Sequence, residues 1–236
     1  MWIHCFCVPS RPMNEDNNKI QPSGQWDCQN VIIADADYID HVAFNLIVNF
    51  ERMLMRRIPS ADIARWIDCI ALDGGMRPVE QDGSAGEIDS LPTQGGPEWV
   101  SQVVLIHDKN KTQLENFVPA DFAQELNGKA FSDHLGEFVI SALPIEQQTT
   151  RENFFLDILG TVCQQPAVKR IMVIPNAEEG SLYNDIRNLL RQVDDSKRIT
   201  IFAMQPMPGG NFRQEILGYS LMNALGIHAD DLSSLE

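Results

Sequence analysis

Short runs of β-branched and other apolar residues alternate along this chain with longer amphipathic segments, and this alternation constrains the fold more than any other feature. The helix-like stretches cover residues 40–56, 60–66, 113–126, 150–163, 181–193 and 212–225. The strand-like runs themselves cover residues 31–34, 70–72, 103–107, 138–143, 170–174 and 199–204. The pattern predicts an α/β fold: a doubly wound, mostly parallel sheet of five or six strands with helices on both faces.

The chain length and composition indicate one folded unit. With 236 residues, of which 44% are hydrophobic, the chain can bury a single large core. Residues 1–29 carry prolines and a polar run without periodicity, which predicts a flexible tail ahead of a single α/β domain at 30–236. Six glycines and three prolines at 74–97 predict a long loop over residues 74–98, either a functional lid or a solvated insertion.

The charge balance limits the classes of partner. The formal net charge of −15, from 33 acidic and 18 basic residues, argues against binding to DNA or to an anionic membrane and would suit a cation. The most apolar helical segment is interrupted by polar side chains and is too short to span a bilayer. Five scattered cysteines do not form a disulfide framework, and the amino terminus lacks a basic leader. A cytoplasmic location is therefore expected.

Three of the apolar runs stop at an aspartate, namely Asp35, Asp73 and Asp108. Because ligands of open α/β sheets bind outside the carboxyl ends of the strands, these side chains are expected to converge if their strands are neighbours. Converging carboxylates need a cation, shared protons or water between them. Each aspartate has an ordinary alternative role, because aspartate also caps helix amino termini. Capping alone does not require Asp35, Asp37 and Asp40 together within six residues.

The acidic set predicts a site for Mg²⁺ or Mn²⁺, which take hard oxygen ligands and can activate water against a phosphate ester. Glu178 follows a later strand and would add a fourth carboxylate, although acidic residues in the first turn of a helix are favoured in any case. The predicted metal ligands are Asp35, Asp73, Asp108 and Glu178. Asp37 is predicted to be either a further ligand or the catalytic general base.

The order of these features resembles the NYN branch of the PIN-like nucleases. The resemblance is carried by the strand that ends at Asp35, by the late strand followed by Asn176-Ala177-Glu178-Glu179, and by the final strand and helix at 199–225. In that family, acidic residues after the first and a later strand hold a divalent metal for RNA cleavage. The resemblance therefore implies RNA or another phosphoester as the substrate.

A second resemblance is local. The segment Asp35-Ala36-Asp37-Tyr38-Ile39 is similar to the D-x-D-x-[TV] loop of the haloacid-dehalogenase-like phosphatases. In those enzymes the first carboxylate attacks phosphorus and the second acts as general acid and base. No later Ser/Thr, Lys and paired-acid motifs of that family follow in order along this chain.

The helix predicted at 40–56 carries one narrow polar stripe on an otherwise apolar surface. Such a helix is either buried between the sheet and its neighbours or shared with a second subunit. The second arrangement supports a competing hypothesis, a non-enzymatic interaction module that forms a homo-oligomer and uses the aspartates only as caps. The stripe consists of His41, Asn45, Asn49, Arg52 and Arg56.

Overall fold

A computed structural model describes residues 28–78, 99–146, 148–178, 180–228 and 230–231. The strands in these ranges are β1 (Asn30–Asp35), β2 (Ala61–Asp62), β3 (Val100–His107), β4 (Phe117–Val118), β5 (Ala130–Asp133), β6 (Gly136–Pro144), β7 (Arg170–Ile174), β8 (Arg198–Ala203) and β9 (Arg213–Ile216). The α-helices are α1 (Ala36–Leu54), α2 (Ile63–Asp73), α3 (Arg151–Gln164), α4 (Leu182–Leu190) and α5 (Leu217–Ala224), and a short π-helix spans Phe122–Leu126.

The main sheet has seven strands in the order β5-β6-β3-β1-β7-β8-β9. All neighbouring pairs are parallel except β5 and β6, which form an antiparallel hairpin at one edge. β2 and β4 form a separate small parallel pair. The predicted doubly wound, mostly parallel α/β fold is confirmed. The sheet has more strands than predicted because β5 and β9 are short edge strands with weak apolar patterns.

Helices cover both faces of the main sheet. On β1, Ile32 and Ala34 belong to the core that packs against α1, α2 and α5. Val31 and Ile33 belong to the opposite core, which packs against α3 and α4. Because successive strand residues point to opposite faces, a strand covered by helices on both sides must be apolar at every position. This requirement accounts for the uninterrupted apolar runs in the sequence.

Three predicted elements are wrong. Residues 70–72 lie in the last turns of α2, where Ile63, Trp66, Ile67 and Ile70 recur at helical spacing and are all buried. Residues 113–126 do not form one helix, because Pro119 separates β4 from the short π-helix. The segment 212–225 begins as strand β9, which pairs with β8, and only then becomes α5.

The first described residues, Cys28 and Gln29, are attached to the sheet. Cys28 is buried, and the carbonyl of Gln29 accepts hydrogen bonds from the backbone amides of Lys169 (2.8 Å) and Arg170 (3.0 Å). The predicted tail, apart from Cys28 and Gln29, and most of the predicted 74–98 loop lie outside the described residues. No helix among the described residues combines the length and apolar character needed to cross a membrane.

Candidate active site at the carboxyl edge of the sheet

The strand order reverses at β1, which lies between β3 and β7. The chain passes from β1 through β3 to β6 on one side of β1 and returns through α3 to β7 on the other side, so α1 and α3 leave a crevice at the carboxyl end of β1. Asp35 is the last residue of β1 and also the N-cap of α1. The strand and the helix therefore share this residue, and α1 begins at Ala36 rather than near residue 40 as predicted.

Asp35 is almost fully buried, with 1% of its side chain exposed. Its Oδ1 atom accepts a hydrogen bond from the Tyr38 backbone amide at 3.0 Å, which is an ordinary N-cap interaction. The other carboxylate oxygen, Oδ2, is buried and has no hydrogen-bond partner among the described residues. A buried carboxylate with an unpaired oxygen is costly unless a proton or a cation reaches it. The N-cap role of Asp35 therefore accounts for its Oδ1 atom but not for its Oδ2 atom.

Arg151 links Asp35 to Asp37. Its Nη1 atom donates to Asp35 Oδ1 at 2.7 Å, and its Nη2 atom donates to Asp37 Oδ2. Arg151 is the first residue of α3, whose N-cap Thr150 accepts from the Asn153 backbone amide at 3.2 Å. The cap fixes the start of α3 after β6 and so directs the guanidinium toward the end of β1.

Asp37 lies in the first turn of α1 and collects several donors. Its Oδ2 atom accepts from the Asp108 backbone amide at 2.8 Å, and Lys111 Nζ lies 3.1 Å from its Oδ1 atom. Both residues belong to the loop after β3. Two carboxylates and two cationic groups, from Arg151 and Lys111, therefore meet at the ends of β1 and β3.

The two carboxylates titrate differently. Burial raises the pKa of Asp35, and the nearby Arg151 opposes this rise without cancelling it. Burial would also raise the pKa of Asp37, but the hydrogen bonds from Arg151, the Asp108 amide and Lys111 together lower it. Asp37 is thus held as a carboxylate, while Asp35 is the member of the pair that more readily keeps a proton. Paired acids with separated pKa values are a common arrangement at catalytic sites.

Two other predicted ligands lie near this edge but direct their carboxylates elsewhere. Asp108 Oδ1 accepts from the backbone amide (2.8 Å) and the side-chain amide (2.9 Å) of Asn110, so the carboxylate closes its own turn. Glu178 is exposed beyond the end of β7. Burial raises the pKa of the Tyr38 hydroxyl, and the charge of Glu178 adds to this rise. Asp108 and Glu178 therefore border the Asp35–Asp37 pair without joining it.

Asp73 does not belong to the site, and the prediction that it ends a strand is wrong. It is the last residue of helix α2. The carbonyl of the next residue, Gly74, accepts a hydrogen bond at 2.7 Å from Arg170, which begins β7. Asp73 therefore lies at the amino edge of the sheet, opposite Asp35. Burial and the charge of Glu215 raise the pKa of its carboxyl group, and Arg213 opposes the rise.

Asp40 does not join the predicted carboxylate cluster but has a structural role. It is buried, and its Oδ1 atom accepts from the backbone amides of Glu115 (3.0 Å) and Asn116 (2.8 Å). These contacts tie α1 to the long loop after β3. The same loop carries Asp108 and Lys111 into the site, so Asp40 supports the site from outside it.

Two open grooves flank the acidic pair. One, of about 240 Å³, contains both cationic and acidic side chains and is lined by Asp108, Lys109, Ile145, Glu146, Thr149 and Arg151. The other, of about 270 Å³, contains part of the predicted polar stripe of α1 and is lined by Tyr38, His41, Val42, Asn45, Leu46, Asn49, Asn176, Glu178 and Met204. The grooves therefore open beside the acidic pair, and neither Asp35 nor Asp37 lines them.

Arg151 and Lys111 are not among the predicted site residues. The run Thr149-Thr150-Arg151-Glu152 indicates the start of α3, and a helix that follows a parallel strand begins at the carboxyl edge of the sheet. That combination could have placed Arg151 next to Asp35. Lys111 lies in an irregular loop, whose path no sequence pattern predicts.

Comparison with known proteins gives a family but no function. No curated protein and no solved structure matches the chain significantly. A model of a protein family of unknown function, DUF6621, matches residues 25–232, which include every described element of the fold and the whole acidic site. The chain therefore belongs to the DUF6621 family.

Proposed function

We propose that this protein hydrolyses a phosphoester in a metal-dependent reaction, with Asp35 and Asp37 at the centre of the site. The observation that carries the proposal is the Asp35 carboxylate, which is 1% exposed and keeps Oδ2 without a hydrogen-bond partner in the described part of the chain. It lies at the point where the strand order reverses, which is where ligands bind in sheets of this kind.

The donor set fits Mg²⁺ or Mn²⁺. Magnesium binds through one or two carboxylates and keeps several waters, so Asp35 and Asp37 suffice as protein ligands. The ion would displace Lys111, which lies 3.1 Å from Asp37 Oδ1, whereas Oδ1 of Asp108 is held by two hydrogen bonds from Asn110. When bound, either ion would supply Lewis-acid polarisation of the phosphate and a lowered pKa for water. Asp37, whose pKa is lowered, remains available as a ligand or as the general base.

The groove of about 240 Å³ suits the substrate. Lys109 and Arg151 line it and would offset the charge of a phosphate group, while Asp108 and Glu146 disfavour a ligand that carries many unshielded negative charges. The resemblance to the NYN nucleases favours an RNA phosphodiester, of which this mixed groove would hold a single phosphate group. Arg151 would then have two roles: it holds Asp35 and Asp37 in place and presents its remaining donors to the phosphate.

Metal binding is expected to stabilise the folded protein. Saturating Mg²⁺ should raise the melting temperature, since a ligand that binds only the folded state stabilises it by mass action, by about 2.7 kcal/mol at 100 times the Kd. Asp35→Asn should abolish this shift, because it removes the buried negative charge. Asp73→Asn is the matched control: it removes a carboxylate at the opposite edge and should keep the full shift. Scanning calorimetry of the three proteins measures the effect.

Activity is tested on the same proteins. Bis(p-nitrophenyl) phosphate and a single-stranded RNA oligonucleotide, each with Mn²⁺, should be hydrolysed by the wild type and by Asp73→Asn. Asp35→Asn should lose at least about a hundredfold in rate, the scale expected when a positioned catalytic group is removed. Equal rates for the wild type and Asp35→Asn would show that the hydrolysis does not occur at this site.

A second candidate function is a homodimeric interaction module, favoured by the outer half of α1. Phe44 and Met53 are each 50% exposed, and Met55, which ends the helix, is 88% exposed. The fully buried residues of α1 lie in its first two turns, and the outer half is only partly buried against the core, so the first alternative, a helix buried between the sheet and its neighbours, is not fully realised. Light scattering at several concentrations tests the dimer, and Phe44→Glu with Met53→Glu should make it monomeric. A wild-type protein that is monomeric throughout would end this candidate.

A further inference from the structure

Three neighbouring strands begin with an arginine at the amino edge of the sheet. Arg170 begins β7, Arg198 begins β8 and Arg213 begins β9. In the parallel register, Arg170 lies directly opposite Arg198, and Arg213 lies opposite Thr200. A cluster of three arginines is unexpected in a chain with a net charge of −15.

The register places the three side chains on one face of the sheet. Residues paired in parallel strands share a face, and residues two apart on one strand also share a face. Arg170 and Met172 therefore point the same way, as do Arg198, Thr200 and its partner Arg213. Met172 belongs to the core beneath α1, α2 and α5, so the arginines lie on that face, just beyond its end.

The turn after α2 brings two of the guanidinium groups together. Arg170 Nη1 donates to the Gly74 carbonyl at 2.7 Å. A Cβ atom on Gly75 would lie 2.8 Å from Arg170 Nη1 and 3.5 Å from Arg213 Nη1, so both groups reach this glycine. Gly75 has φ +89, a conformation that also favours glycine. Arg77 follows the turn and adds to the positive charge.

Nearby carboxylates offset only part of this charge. Glu215 Oε1 lies 2.8 Å from Arg213 Nη2, and the Asp73 carboxyl is close enough for both Glu215 and Arg213 to influence its pKa. Within the described part of the chain, neither Arg170 nor Arg198 has an ion-pair partner within 4.0 Å. Burial, followed by the charges of Arg198, Arg213 and Arg77, lowers the pKa of Arg170. Like charges directly opposite each other on a sheet are destabilising.

We propose that Arg170, Arg198 and Arg213 form a binding site for a phosphate group at the amino edge of the sheet. Guanidinium groups are planar, permanently charged and weakly hydrated, and they bind phosphate oxygens in pairs of parallel hydrogen bonds. A phosphate dianion would relieve the repulsion between Arg170 and Arg198. This site lies at the opposite end of β7 from the acidic pair, and the proposal is independent of the proposed hydrolase activity.

The first test uses inorganic phosphate and pyrophosphate at constant ionic strength, with NaCl as the balancing salt. Both anions should raise the melting temperature of the wild-type protein by several degrees, and isothermal titration should give a saturable binding isotherm. Arg198→Gln and Arg213→Gln should each weaken binding at least tenfold. Arg52→Gln removes an exposed arginine on α1 and should leave the affinity unchanged.

Arg198→Gln has a second readout that a merely destabilised variant would not show. In phosphate-free buffer it should be as stable as the wild type or more stable, because it removes the positive charge opposite Arg170. In the presence of pyrophosphate the wild type should be more stable than Arg198→Gln. Equal anion-induced shifts in Arg198→Gln and the wild type, or no shift in the wild type, would overturn the proposal.

The source of the phosphate is resolved by competition. A single-stranded oligonucleotide that displaces pyrophosphate in an Arg198-dependent manner would identify a nucleic acid backbone as the ligand. Displacement by a phosphorylated monosaccharide, but not by the oligonucleotide, would identify a small phosphorylated molecule. Either result supports a phosphate site, and failure of both to compete with bound pyrophosphate would restrict the site to inorganic anions.

Discussion

Replacing Arg151 by glutamine is expected to lower the free energy of unfolding at pH 7 by roughly 3–5 kcal/mol, since removal of one partner from a buried ion pair leaves an uncompensated charge. Asp35 is that charge: its side chain is 1% exposed, and Arg151 supplies its only ion pair within the described residues. The lower half of the range is the better estimate, because 27% of the Arg151 side chain is exposed. Urea unfolding measures the effect.

The cost of Arg151→Gln should depend on pH in a defined direction. Burial already raises the pKa of Asp35, and loss of Arg151 removes a group that opposes the rise. An acid whose pKa is raised in the folded state favours folding when protonated, and this contribution is lost as the pH rises through the folded pKa. The difference between the variant and the wild type should therefore narrow as the pH falls from 7 toward 3.8, the ordinary value for aspartate.

Protonation of Asp37 also narrows the stability difference between the variant and the wild type as the pH falls. Arg151 helps to keep its pKa low, so the wild type loses stability as Asp37 is protonated at acid pH, and the variant loses less. The double variant Arg151→Gln with Asp35→Asn should recover much of the lost stability, because the Asp35 charge, which is 1% exposed, is gone and Lys111 still lies 3.1 Å from Asp37. Arg56→Gln breaks an exposed ion pair of 3.1 Å with Asp231 and should lower the free energy of unfolding only slightly. A loss of that size for Arg151→Gln, without a pH trend, would contradict the burial argument.

Asp40→Ala is expected to lower the free energy of unfolding by about 2–4 kcal/mol, because the backbone amides of Glu115 and Asn116 lose their acceptor. Asp40→Asn keeps a side-chain oxygen in place and should cost less than about 1.5 kcal/mol. Hydrogen exchange at the two amides gives a local measurement and should accelerate in the alanine variant alone. Similar losses in both variants would show that the charge of Asp40, rather than its acceptor geometry, is what matters.

Asp40→Ala also tests the link between the loop and the site. The loop after β3 places the Asp108 amide and Lys111 against Asp37. Loosening the loop at Glu115 and Asn116 should weaken both contacts, so any hydrolytic activity should fall further in Asp40→Ala than in Asp40→Asn. Equal activities would show that the loop keeps its position without this anchor.

The main strands could be predicted because buried parallel strands are short, nearly continuous runs of apolar residues. β1, β3, β7 and β8 are buried on both faces over most of their length, and the sequence shows their apolar runs directly. β6 alternates buried and partly exposed residues, but its run at 138–143 is apolar except for Ser141. α2 was partly missed because its apolar stripe of Ile63, Trp66, Ile67 and Ile70 ends in the short run Ile70-Ala71-Leu72, which is also compatible with a strand. β5 and β9 were missed because edge strands bury little surface and so lack a continuous pattern.

The candidate site was likewise predictable only in part. The sequence by itself determined that Asp35 and Asp37 lie at the carboxyl end of a buried strand, because the apolar run stops there and the chain direction follows. Only the tertiary structure decided that Arg151 and Lys111 contact this pair. It also decided that the Asp108 carboxylate accepts hydrogen bonds from Asn110 and that Asp73 lies at the opposite edge of the sheet. Local periodicity encodes where strands and helices begin, whereas strand order and loop path depend on contacts between residues far apart in the chain, which no local pattern records.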